Sequence, residues 1–287
     1  MKPEAGHRYT ERIDRVVEYL NEQMGASPTL QDLAGIAGVS PFHFLRLYRA
    51  ITGETPSATV RRLRLARAAN MLRDTQKSIT EIAFDVGYES SQAFSRAFRR
   101  ETGSSASALR RDLDVLAAVI GRLSRPPGHP AVNALEVRLV SIEPFKVIAS
   151  RHVGQQGGLF KTYGELFRWA ESSDRAKDLK GIFGIAIDDP RSVPEEECRF
   201  DCCFDLGADV EPGKGYRELV LGGGLYAVTR HVGPFEGLED KSDFLYGTWL
   251  PASRYALRDV TGFNHYLADP DTLPPEQWET DVCIPVA

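Results

Sequence analysis

The chain changes its hydrophobic period near residue 125. Up to that point apolar residues return every three or four positions, and beyond about residue 134 they alternate. The first pattern predicts helices with one buried stripe, the second half-buried strands. In "RYTERIDRVVEYLNEQMG", Ile13, Val16, Val17, Leu20 and Met24 fall on one stripe, so an amphipathic helix opens the chain. "TLQDLAGIAGVSPFHFLRLYRAITG" then predicts two helices. Thr29 and Asp32 have capping-box spacing, Gly38 suits a tight turn, and Ser40-Pro41 marks a second start because proline in a first turn forfeits no hydrogen bond. "PSATVRRLRLARAANMLRD" reads as one helix from about Pro56, with Leu63, Ala66 and Leu72 on its apolar side.

The two-helix pattern is written twice. Leu30, Leu33, Ala34, Ala37 and Gly38 recur 49 positions later as Ile79, Ile82, Ala83, Val86 and Gly87. After one extra residue in the turn, Phe44, Arg46, Tyr48, Thr52 and Gly53 recur 50 positions later as Phe94, Arg96, Phe98, Thr102 and Gly103. Ser78 and Glu81 repeat the capping pair. This is an internal duplication of a helix-turn-helix. At about 100° per residue, Gln92, Ser95, Arg96 and Arg99 share one arc, opposite Phe94, Ala97 and Phe98. Phe42, Leu45, Arg46 and Arg49 share the matching arc of the first copy. Arginine can read guanine edges and glutamine adenine edges, while further arginines neutralise phosphates. Neither outer arc carries a carboxylate.

Beyond residue 133, "VRLVSIEP" and "FKVIASRHVG" read as strands, "LFKTYGELFRWAESS" as a helix, and "GIFGIAIDDP" and "CRFDCCFDL" as two more strands. This pattern also repeats, at an offset of 79 to 80. "ASRHVG" at 149–154 returns as "VTRHVG" at 228–233, and Pro190, Pro194, Asp201 and Cys203 return as Pro270, Pro274, Asp281 and Cys283. Two such α+β halves are expected to pair about a pseudo-twofold axis and leave a cleft. Trp169, Trp249, Trp278, Phe235 and Tyr163 are candidates to line it. Aromatic faces with a desolvated carboxylate suit an organic cation. The same rings are also readable as core, and Asp281 as a solvated strand carboxylate.

Composition sharpens the division. The 287 residues, 42% of them apolar, allow two separate cores. Residues 1–125 carry 19 Lys and Arg against 14 Asp and Glu, whereas residues 126–287 carry 16 against 26. A basic module joined to an acidic one points to a polyanion partner for the first alone, although charge by itself is equally met by solvated helix faces. "GRLSRPPGHPAVN", 121–133, has the Pro and Gly content of a linker. No apolar run approaches the ~20 residues of a membrane span, and "MKPEAGHRYTERID" lacks the apolar core of a signal peptide. With no paired spacing among the four cysteines, a reduced, cytoplasmic protein that avoids membranes is expected.

Residues 8–112 resemble the tandem helix-turn-helix domain of the AraC/XylS transcription regulators, on "LAGIAGVSPFHFLRLYRAITG", "RLARAANML" and "ITEIAFDVGYESSQAFSRAFRRETG". The resemblance implies DNA contacts by the outward residues of both second helices: Phe42, Leu45, Arg46, Gln92, Ser95 and Arg96, with Arg49 and Arg99 on the same arcs. Residues 134–287 resemble the GyrI-like small-molecule-binding domain, on "RHVGPF", "YLADPDTLPPEQW" and "TDVCIPV". That resemblance implies a pocket faced by a last-strand carboxylate, here Asp281, and lined by aromatics. The expected architecture is an all-α tandem helix-turn-helix domain (1–120), a linker (121–133) and an α+β duplicated domain with an antiparallel sheet (134–287). The expected function is transcription regulation modulated by a small effector, with double-stranded promoter DNA and RNA polymerase as partners and no cofactor. The alternative is a hydrolase of reactive small molecules tethered to a DNA-binding domain.

Three smaller signals have plain readings. Cys202 and Cys203 are adjacent, so on a strand they face opposite ways and make a poor metal pair beside Cys198. His152 and His231 sit at equivalent "RHVG" corners through duplication. "GGG" at 222–224 lacks the strand-glycine-helix context of a phosphate loop and reads as a turn.

Overall fold

Both predicted capping boxes form. The Asp32 carboxylate accepts from the Thr29 amide at 2.8 Å, and Glu81 accepts from Ser78 at 2.7 Å. The computed structural model describes residues 7–23, 28–128, 135–207, 210–268, 270 and 272–287, so Met24 and most of the second half of the expected linker lie outside the described residues. The helices are α1 (His7–Glu22), α2 (Leu30–Ala37), α3 (Pro41–Thr52), α4 (Pro56–Asp74), α5 (Ile79–Asp85), α6 (Ser91–Thr102), α7 (Ala106–Leu109) and α8 (Leu113–Leu123), the last running into the expected linker.

The two helix-turn-helix copies sit in different cores. Around the second, Phe94, Phe98, Ile82, Leu65, Leu72 and Leu116 close a cluster of their own. Around the first, Ile13, Val16, Phe44, Leu47 and Tyr48 join one continuous cluster with Leu245, Tyr246, Leu250, Val282 and Ile284 from the C-terminal half. Helix α4 joins them, offering Val60 and Leu63 to the first cluster and Leu65, Ala68 and Ala69 to the second.

The strands are β1 (Arg138–Ile142), β2 (Phe145–Val153), β3 (Gly181–Ala186), β4 (Arg199–Asp205), β5 (Arg217–Leu221), β6 (Gly224–Val232), β7 (Phe263–Tyr266) and β8 (Glu279–Pro285). Helix α9 (Leu159–Ser172) follows β2, and α10 (Leu238–Phe244) follows β6 and continues through a π-turn at Leu245–Trp249. The sheet is antiparallel throughout, in the order β1-β6-β8-β7-β3-β4-β2-β5. Each half therefore lends its first strand to the other. In a flat sheet β1 and β2 would lie six spacings, about 29 Å, apart. The link of Glu143 and Pro144 reaches about 11 Å at most. The sheet must curl until its edges meet.

Alternation gives the two faces separate tasks. Ile148, Phe204, Ala227, Val282 and Ile284 face the helices, whereas Val147, Phe183, Cys203, Val228, Phe263 and Cys283 form a cluster on the opposite, concave face. The RHVG corners are packing devices. The His152 and His231 rings rest so closely on Gly158 and Gly237 that a Cβ there would lie 2.7 and 2.4 Å from them.

Where the β1–β2 and β5–β6 links cross, the Gly223 amide donates to the Ile142 carbonyl at 2.8 Å. Gly222 adopts φ of +78°, and a Cβ there would stand 2.3 Å from the Glu143 carbonyl oxygen. Gly222→Ala should therefore cost more than about 2 kcal/mol, from left-handed backbone and backbone clash together. Urea unfolding of the full chain measures it.

Candidate nucleic-acid interface and ligand cavity

Residues 50 positions apart match on α3 and α6, yet their surroundings differ. On α6, Gln92, Ser95, Arg96, Arg99 and Arg100 are exposed, while Phe94 and Phe98 are buried. The Ser90 hydroxyl accepts from the Ala93 amide and starts the helix. On α3 no residue is exposed. Phe42, Leu45, Arg46 and Arg49, the counterparts of Gln92, Ser95, Arg96 and Arg99, are all half-buried.

Their neighbours come from the C-terminal half. The His43 ring is 1% exposed, with Nδ1 2.9 Å from the Tyr246 hydroxyl and Nε2 3.0 and 2.9 Å from the carbonyl oxygens of Arg258 and Val260. Two carbonyls require the proton on Nε2, so Nδ1 accepts from the Tyr246 hydroxyl. Burial depresses the His43 pKa from 6.5 to about 4, against the opposing pull of those carbonyls. Arg46 donates to the Ala186 carbonyl and lies over the Phe42 ring, 4.2 Å from its centroid. Arg49 meets Asp189 at 3.4 Å and Asp243 at 3.8 Å, and Arg191 donates to both Asp243 oxygens at 2.9 Å. Burial raises the Asp189 and Glu239 carboxyls.

The concave face holds a half-open cavity of about 280 Å³, near the lower end for small-ligand sites. Phe145, Phe183, Phe263 and Val228 wall it, with Arg138, His265, Asp281 and Cys283 among its other lining groups. His265 stacks on Phe183 with centroids 4.4 Å apart, and burial depresses its pKa, favouring the neutral ring. Arg138 donates to both Asp281 oxygens at 3.0 and 3.1 Å, and Arg230 binds the same carboxylate from directly across the ladder. The other half repeats this clasp: Arg151 and Arg217 hold Asp201. A more open depression of about 460 Å³ between Arg175, Lys180 and Gly207 is mainly polar and adjoins residues outside those described.

Asp281 is thus the one candidate pocket residue at the cavity. The five candidate aromatics lie elsewhere, because α9, α10 and the turns beside them cover the other face of the sheet. Tyr163 donates to the Phe183 carbonyl at 2.7 Å and packs beside Tyr266, with Phe235 stacked on Trp278 at 4.6 Å. Trp169 packs on Tyr216, and Trp249 stacks on Tyr255 near the first helix-turn-helix. The cavity phenylalanines share with Asp281 the strand parity that points to the concave face. That parity was readable, but the register bringing β3, β7 and β8 together was not. The Arg-Asp-Arg clasp was also traceable, since Arg138 and Arg217 obey the same offset as Arg151 and Arg230.

Residues 135–287 match the family described as GyrI-like small molecule binding domain. The chain belongs to that family. Residues 33–112 match a helix-turn-helix domain family and are of AraC type. The chain is similar to transcriptional regulator Rob of Salmonella typhimurium, 23% identical over 253 residues, spanning 85% of this chain and 86% of Rob. To regulatory protein SoxS of the same organism it is 37% identical over 89 residues, 31% of this chain and 83% of SoxS. A solved hydrolase from Listeria innocua is 14% identical with a TM-score of 0.40, covering 54% of this chain and 94% of that one. This GyrI-like, AraC-type protein is a DNA-binding transcription regulator modulated by a small ligand. No helix among its described residues is long and apolar enough to cross a membrane.

The His43 ring gives its GyrI-like interface a pH dependence. Because the folded structure holds this ring neutral, its contribution to stability is complete above about pH 6.5 and lost as pH falls towards 4, about 3 kcal/mol in all. Arg46 opposes the protonation and Asp259 favours it, while the raised carboxyls of Asp189 and Glu239 act with the opposite sign. The isolating measurement is the difference in melting temperature between wild type and His43→Asn across this range. The difference should shrink on acidification.

Proposed function

We propose that the regulator reads DNA bases through the outward face of α6, with Gln92, Ser95 and Arg96 at base edges and Arg99 on phosphate. The observation that carries this reading is an exposed helix face of amide, hydroxyl and guanidinium groups, backed by Phe94 and Phe98 in a core of its own. The matching residues of α3, namely Phe42, Leu45, Arg46 and Arg49, serve the neighbouring major groove when that helix is free. RNA polymerase is the further partner, since a transcription regulator acts on initiation. In footprint and affinity measurements, Arg96→Ala should cost about 1–3 kcal/mol on the selected site if the contact is to bases. An equal loss on random DNA would reduce Arg96 to a phosphate contact.

The cavity is the effector site, and its chemistry suits a compact cation with an aromatic body. Its walls are phenylalanine faces, its histidine favours the neutral form, and Asp281 supplies the charge. Arg138 occupies the place such a cation takes. With 47% of its side chain exposed, it can swing away at the small cost of a surface ion pair. The remaining Arg230, Asp281 and Glu279 then carry a net negative charge. A hydrolytic reading finds less support, because the lining residues include neither a tyrosine nor a second carboxylate.

The probe is benzyltrimethylammonium, compared with its uncharged isostere neopentylbenzene by thermal shift and calorimetry. Arg138→Ala should tighten the cation by up to about fivefold, the scale of a surface ion pair, and Asp281→Asn should remove its advantage over the isostere. Equal binding of both probes to the wild type would retire the cation.

A further inference from the structure

We infer that the GyrI-like domain carries a docking site for the first recognition helix, α3, and that this site competes with DNA. The inference rests on the proposed reading of DNA by both recognition helices. Helices α3 and α6 are repeats, and their outward arcs correspond residue by residue. Yet α6 exposes five of twelve residues and α3 exposes none. The groups that take up the α3 arc offer what DNA offers. The guanidinium of Arg46 meets the Ala186 carbonyl, and that of Arg49 meets the buried carboxylates Asp189 and Asp243. In DNA the same side chains would meet base acceptors and phosphates. They cannot do both.

This contact is tightly packed. Gly247, in the π-turn beyond α10, lies so close beneath α3 that a Cβ would stand 2.3 Å from the Ala50 carbonyl oxygen. His43 replaces the small Ala93 of the second repeat and is clasped by Tyr246 and two backbone carbonyls, a pairing with no counterpart on α6. A residue of the recognition helix has thus become specific for the domain beside it.

The docking site also borders the apolar cluster that walls the effector cavity. Phe42 packs against the apolar cluster that includes Phe145, Phe183, Val228 and Phe263, the walls of the cavity. A ligand among those rings and Phe42 at the border of the cluster thus bear on one apolar cluster. Differential affinity for the docked and released forms is all that ligand control requires. In the docked form only α6 is available to DNA, so the apparent affinity for a two-groove site is reduced by the fraction of molecules in which α3 is free.

The test uses the full chain without effector. Wild type and Gly247→Ala each select duplexes from a random-sequence library, and the selected duplexes are then titrated and footprinted. Gly247→Ala adds no charge and places a methyl group against α3, so electrostatic attraction to DNA is unchanged. Wild type should protect one major-groove turn, and the variant two successive turns with about tenfold or greater affinity, the inverse of the released fraction. Tyr246→Phe, which removes only the hydroxyl that serves His43, should move both readouts the same way and serves if the first variant fails to fold. Equal footprints and affinities in wild type and folded variants would overturn the docking inference while leaving DNA reading intact. Failure of all three proteins to enrich any duplex would overturn the DNA reading itself, and the inference with it.

Discussion

The exchange of first strands between the two halves of the sheet is the constraint from which most of the effector domain follows. Strand β1 pairs with β6 and β5 pairs with β2, yet each is tied to its sequence neighbour by two residues. Covalent reach then forces the sheet to curl, and curling makes one face concave. Helices α9 and α10 occupy the other face, leaving the concave one to phenylalanines and paired charges. The exchange also carries Arg138 across to Asp281 and Arg217 across to Asp201. Each clasp thus ties one half to a strand of the other. The glycines at the crossing of the two links meet a requirement of backbone proximity, since a side chain at Gly222 would collide with the opposite link.

Duplication and divergence play out differently in the helices. The second helix-turn-helix keeps a private core around Phe94 and Phe98 and leaves its arginines in water. The first shares its core with Tyr246, Leu250 and Ile284 and turns its arginines towards carbonyls and carboxylates. The acidic balance of the C-terminal half, which from composition alone suggested only that it avoids DNA, acquires a local role there. Asp189 and Asp243 are almost fully buried and face Arg49 and Arg191 together. Removing one partner of such a set would leave an uncompensated buried charge.

The effector cavity shows the limit of residue-type reasoning. Tryptophan and tyrosine drew attention as aromatic liners, but Trp169, Trp249, Phe235 and Tyr163 belong to helices and turns on the covered face. The rings at the cavity are phenylalanines set into strands, where alternation alone decides which side they face.

What the sequence determined by itself was everything periodic or local. Both capping boxes, the tandem repeat, the duplicated α+β halves, the glycine turn and the outward arcs of α3 and α6 were legible because each depends on residues a few positions apart or on self-similarity along the chain. The strand exchange, the register that gathers Phe183, Phe263 and Asp281, and the burial of the α3 arc were decided by tertiary structure. The two arcs make the reason concrete. Arg46 and Arg96 occupy the same place in the same repeated motif, and only the approach of residues 186–189 and 243–260 makes one interior and the other exposed. Periodicity says which side of a helix is outward from its own motif. It carries no record of what a distant segment later lays against that side.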